Sequence, residues 1–146
     1  WCPRDCRSGA VKSLKALSSL SMHQRTEDVK GSMRRGSEFV IDQCLNSGGN
    51  GLRATARKEW FFPGYPHMYD TDLLEIVKVL IASGVRDPRI DEAVRCIRSR
   101  RSEDGRWLQG GSRSSEKYLV RLERKGEESR FVTLEALLVL FGTKSR

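Results

Sequence analysis

No apolar run in this 146-residue chain approaches the length of about 18 residues that a membrane-crossing helix needs, so no transmembrane segment is expected. A basic stretch followed by an apolar one, the mark of a secretory signal, is also missing. Four cysteines are too few for a disulfide scaffold of this size, and reduced thiols in a cytoplasmic protein are the expectation. Acidic residues are outnumbered, 19 against 27 basic ones, which leaves a net charge of +8. Such a surplus favours phosphates, anionic lipid or acidic proteins as partners without defining a site. The hydrophobic share of 38% is low but sufficient for one globular domain with a core. The chain opens on Trp1 and not on Met, so a piece of a longer protein is expected.

What is present is a repeated helical pattern. Residues 10–20, 73–83 and 133–142 can be laid over one another so that Val11, Leu74 and Leu134 coincide. The same alignment joins Leu14, Val77 and Leu137, then Ala16, Val79 and Val139, then Leu17, Leu80 and Leu140. Offsets of i, i+3 and i+6 place the first, second and fourth sets on one helical face; the third widens it. Lys12, Glu75 and Glu135 share a polar slot. The copies stand about 60 residues apart, longer than common helical repeats.

Two copies are followed by a second helix, expected over Val29–Leu45 and Pro88–Arg100. Asp87 before Pro88 supplies an acceptor at the N-cap and a proline at the first helical position. Thr26 with Glu27 and Asp28 offers a similar start. Gly84 ends the helix before Pro88, and the short connection makes those two helices antiparallel neighbours. The joints are of another kind. Residues 46–70 are rich in glycine and aromatics, and Pro63 and Pro66 bar an ordinary helix. Residues 109–116 read as a flexible loop. Alternation at Tyr118, Val120 and Leu122 before Gly126 predicts a short extended stretch or hairpin.

Ala93, Cys96-Ile97 and Asp104-Gly105-x-Trp107 after a helix hairpin resemble the repeat of the terpenoid-cyclase and protein-prenyltransferase α/α-toroid superfamily. In that family a glutamine commonly stands six residues before the tryptophan; here the slot holds Arg101. More closely, the chain resembles uncharacterised prokaryotic prenyltransferase/squalene-oxidase-repeat proteins. The likeness rests on the cysteine-containing start from Cys2 to Leu17, the aromatic-proline segment Trp60 to Pro66, and the helix start Tyr69-Asp70-Thr71-Asp72-Leu73-Leu74-Glu75. It continues with Asp87-Pro88-Arg89 and with Gly126 followed by Phe131-Val132-Thr133-Leu134, and so covers nearly the whole chain. The resemblance implies an all-α fold, residues 1–146 forming a single toroid-like domain of antiparallel helix hairpins in an arc. A full toroid uses more hairpins, so a C-terminal part of a longer protein, or an open arc, is implied. The terminal faces of such an arc are left apolar, and self-association or binding of a missing N-terminal portion is expected.

The same resemblance implies an isoprenoid or other apolar ligand in a concave aromatic cavity, where ring faces favour apolar chains and cations. The expected lining is Trp60, Phe62, Tyr65, His67, Tyr69, Asp70 and Asp72. Asp70 and Asp72 stand at a spacing able to hold magnesium and a diphosphate, but the cyclase acid motif Asp-x-Asp-Asp is incomplete because Leu73 fills its last position. The competing reading is that Thr71 or Asp72 caps the following helix. The prenyltransferase zinc set is absent: no Asp-x-Cys occurs, and Cys2 and Cys6 supply only two thiolates. The sequence therefore supports no catalytic set and leaves turnover open, with no resident metal assigned and magnesium or zinc left as weakly supported cofactors. The alternative is an interaction module that binds a protein or anionic partner through its basic surface. Arg34-Arg35, Arg98, Arg100-Arg101, Arg106 and Arg113 form no nucleic-acid motif, and a solvated face is expected in place of a nucleic-acid site.

Overall fold

The computed structural model describes residues 6–46, 52, 58–67, 70–110 and 123–144. Among them the chain is mostly helical. It forms α1 (Arg7–Ser18), α2 (Glu27–Val40), α3 (Leu73–Ala82), α4 (Pro88–Arg98) and α5 (Arg130–Lys144). Single 3-10 turns lie at Met22–Gln24 and Lys58–Phe61. One two-residue ladder joins β1 (Trp107–Leu108) to β2 (Glu128–Ser129), antiparallel, with Trp107 opposite Ser129 and Leu108 opposite Glu128. Among the described residues no helix is long and apolar enough to cross a membrane.

The helices begin where side chains can satisfy their first amides. Thr26 accepts from Val29 N at 3.4 Å, Asp72 from Glu75 N at 2.9 Å, and Asp87 from Arg89 N at 2.8 Å. Ser129 Oγ takes the Val132 amide at 2.9 Å and opens α5. In α1 the acceptor is Cys6 Sγ, 3.2 Å from Gly9 N. The capping reading of Asp72 thus describes the geometry. The second helix, expected to reach Leu45, holds α geometry to Val40 and finishes with a π turn over Ile41–Leu45. α4 stops at Arg98, two residues short of the expected end.

α3 packs on α1, α4 and α5, while α2 lies on α1, and α4 also meets α5 and the π turn. The result is a row, α1–α3–α5, with α2 and α4 laid against it. α3 is the middle of that row, and its sequence says why: Leu73, Leu74, Ile76, Val77, Val79 and Leu80 are apolar around almost the whole circumference, and all are buried. α1 buries Val11 and Leu14 as the alignment predicts, but Ala16 is exposed. α5 departs further. It buries Val132, Ala136 and Val139, while Leu134 is 55% exposed, and Leu137 and Leu140 are half-buried. Its buried positions are offset from the aligned ones, so the inward face of α5 is rotated relative to the alignment.

The predicted turn at Gly126 is present, with φ 84°. It leads into β2. The alternation at Tyr118, Val120 and Leu122 lies outside the described residues, as does Cys2.

Candidate functional site

Trp107 follows a tight turn. Gly105 adopts φ 83°, a conformation that favours glycine, and its amide donates to Ser102 O at 2.9 Å. The indole then folds back under α4, with Nε1 donating to Ile97 O at 2.8 Å, and the ring is fully buried. Arg101 covers it from outside, its guanidinium 5.8 Å from the ring centroid and its Nε donating to Gly105 O at 3.0 Å. The residue in the glutamine slot therefore closes the turn and stacks on the tryptophan.

Beyond Trp107 the strand is strapped to the aromatic-proline segment. Gln109, only 2% exposed, accepts from Tyr65 N at 3.0 Å and donates through Nε2 to Tyr65 O at 2.7 Å. Gly110 N donates to Pro63 O at 2.7 Å. A Cβ on Gly110 would stand 2.3 Å from Phe62 O, so the two backbones approach as only glycine permits. Residues 109–110, expected in a flexible loop, are instead an anchor.

Between these parts lies an apolar cavity. Trp60, Phe61 and Pro63 form one wall, Leu73 and Leu74 of α3 another, and Ile97 with Trp107 a third; Cys96 and Arg100 complete the lining. Its volume is about 20 Å³, room for about one water-sized group. Arg100 rests 4.6 Å above the ring of Phe62, which is 54% exposed.

A second grouping links α1 to the start of α3. Glu75 is 4% exposed, and Lys12 Nζ donates to both its oxygens at 2.7 and 2.8 Å. Lys15 Nζ adds a third bond at 2.9 Å. Burial pushes the Glu75 carboxyl up, but the hydrogen bonds from Lys12 and Lys15 outweigh it and hold the group below its ordinary value. One turn earlier, Asp72 accepts from Gly64 N at 3.0 Å and pairs with His67 Nε2 at 3.1 Å. Burial pushes the His67 imidazole down; the bond to Asp72, with the charges of Asp72 and Glu75, more than reverses this and raises it, Lys12 opposing. Thr71 Oγ1 is buried with no hydrogen-bond partner among the described residues.

The six described residues of the expected lining are divided among different surroundings. Trp60 lines the cavity. Phe62 stands at its rim under Arg100, and Tyr65 stacks on Phe131 with centroids 4.3 Å apart. His67 and Asp72 belong to the charged grouping. Asp70 is exposed, and Tyr69 lies outside the described residues. Among the described residues no group of three His, Cys, Asp or Glu side chains is arranged to hold a metal. The basic residues are divided as well: Arg106 pairs with Glu128 at 2.9 Å, Arg98 is exposed on α4, Arg34 and Arg35 lie on α2, and Arg113 is outside the described residues. Gln109, Cys96 and the burial of Glu75 are what sequence reasoning missed; the shared Lys12/Glu75/Glu135 slot was the one available signal.

Comparison with known proteins adds no relative: no family model matches the chain, and no curated protein or solved structure matches it.

Proposed function

We propose that this chain is an arc of an α/α toroid that binds an apolar, isoprenoid-like group, without catalysis of its own, at the cavity between Trp60 and Trp107. The observation that supports this reading is the lining: two indoles and several aliphatic side chains enclose a space with one cation, Arg100, among them. The row α1–α3–α5 with α2 and α4 on it supports an arc of hairpins. At about 20 Å³ the cavity holds one water-sized group, so binding of a prenyl chain requires it to widen, with Arg100 and the ring of Phe62 beneath it as the side chains that have to yield. A cytoplasmic setting belongs to the same reading.

Trp60 and Trp107 are built-in reporters. Titration with farnesol and farnesyl diphosphate should quench their fluorescence saturably. Cys96→Phe, which fills the cavity, should weaken both ligands at least about tenfold, and Arg100→Gln should weaken the diphosphate alone. Absence of a saturable change, or binding indifferent to Cys96→Phe, overturns the proposal.

A second reading has its own observation. Arg95 and Arg98 are exposed on the outer face of α4, while Arg100 and Arg101 engage aromatic rings. That end of the helix suits an acidic protein partner better than a nucleic acid, and such binding should weaken steeply with added salt.

A further inference from the structure

Two walls of the cavity meet at a seam that one carboxylate closes. The first wall runs from Trp60 to Pro63, and Gly64 follows it directly. The second begins at Leu73, and Asp72 stands just before it. Asp72 Oδ2 accepts from Gly64 N at 3.0 Å and pairs with His67 Nε2 at 3.1 Å, while Oδ1 caps α3 by accepting from Glu75 N at 2.9 Å. A single buried side chain thus fastens the aromatic-proline segment to the start of α3 at two points.

The seam towards Trp107 is fastened differently. There Gly110 N donates to Pro63 O, and Gln109 bonds both backbone polar groups of Tyr65. Those partners are uncharged and carry no proton that leaves near neutral pH. The Asp72 seam carries one, on His67. Asp72 and Glu75 face the imidazole from the start of α3, and Lys12 faces it from α1, with Lys15 bonded to the same Glu75. Burial disfavours the imidazolium; Asp72 and Glu75 more than offset this, and Lys12 opposes them.

We infer that His67 is a proton-operated latch on this seam: as the imidazolium it holds the aromatic-proline segment against Asp72 and keeps the cavity shut, and as the neutral imidazole it lets the two walls part. A neutral imidazole can still donate to Asp72, but a bond without the positive charge is about half as strong. Loss of the proton also leaves a buried carboxylate without the cation beside it, which favours bringing Asp72 into water. Parting the walls does that. Opening and proton release are then one event, so the seam loosens as pH rises through the folded-state value of His67. As a control on ligand entry the latch rests on the function proposed above; as a device of the fold it is read without ligand.

The Gly64 amide, bonded to the same oxygen as His67, reports the latch in amide hydrogen exchange on the ligand-free chain. Its protection, corrected for the intrinsic pH dependence of exchange, should fall at least about fivefold as pH rises through the midpoint of the His67 imidazole titration. The Gly110 amide, on the other seam, should change less. His67→Gln keeps a neutral donor and should show the lower Gly64 protection at every pH; if that variant does not fold, the wild-type comparison of Gly64 with Gly110 decides. Constant Gly64 protection overturns the inference. So does a fall that Gly110 shares in full, which marks general loosening, and so does a fall that persists in His67→Gln. Farnesol then separates the two claims. Affinity that rises through the same midpoint in the wild-type chain and stays level in His67→Gln supports the latch as the control on entry, and binding equal at every pH overturns that control. If farnesol does not bind at any pH, the proposed function falls, and the exchange result alone decides the latch.

Discussion

Gln109 holds both backbone polar groups of Tyr65, accepting from the amide at 3.0 Å and donating to the carbonyl at 2.7 Å. A side chain thereby takes the place of a neighbouring strand for one residue. The aromatic-proline segment has no regular structure at Tyr65, so its backbone groups have to be satisfied from outside.

Gln109→Leu keeps the volume and removes both partners. Two backbone groups are then left unpaired beside the core, and the loss should be about 2–4 kcal/mol in urea unfolding. Gln109→Ala should be no milder, since it adds a cavity.

Gly110→Ala sets a methyl group against the Phe62 carbonyl, where neither backbone can yield without breaking the Gly110–Pro63 bond. We expect a loss of about 3 kcal/mol or more, seen as a fall in Tm, together with altered Trp60 fluorescence.

Lys12 and Lys15 share one buried carboxylate, so their substitutions should not add. Lys12→Met or Lys15→Met alone should cost about 1 kcal/mol, because the other lysine stays. The double variant leaves Glu75 buried and unpaired and should cost about 3–5 kcal/mol. The lowered Glu75 value fixes the pH sign: its contribution is present above the ordinary carboxylate value of 4.5 and is lost as pH falls through the folded-state value. Denaturation of the three variants between neutral and acid pH measures both effects, and additive losses would refute the shared site.

His67 has the opposite sign. Its folded-state value is raised above the ordinary 6.5, so its pairing with Asp72 contributes fully below 6.5 and is lost as pH rises through the folded-state value. The Tm difference between the wild-type chain and His67→Gln should be largest in mild acid and shrink towards alkaline pH. An NMR titration of the His67 imidazole gives the same answer directly.

Local chemistry was legible in the sequence. Thr26, Asp87-Pro88, Gly84 and Asp104-Gly105 each act through groups within a few residues, and the helix starts and turns fall where those residues put them. The rest depends on distant neighbours. Gln109 sits beside a glycine- and serine-rich run that looks like solvent-facing loop, and only the 44-residue span to Tyr65 reveals it as an anchor. The Lys12/Glu75/Glu135 slot looks solvated in each helix taken alone; it is the packing of α1 and α5 on α3 that buries one glutamate and half-covers the other. Among the described residues of the expected site, Trp60 is the one that lines the cavity. His67 and Asp72, both expected in the cavity lining, pair with each other, and their geometry ties a loop to a helix cap.

The position of α3 also bears on how the chain comes apart. Walled in by α1, α4 and α5, its amides exchange with solvent only after a neighbour has left, so they should be the slowest in the molecule. α5 exposes Leu134 and Leu138 and stands at the end of the row, so it can peel away before α1 is disturbed. Opening thus runs from the edges of the row towards its middle, and the last protected amides to exchange should be those of Ile76, Val77 and Leu80.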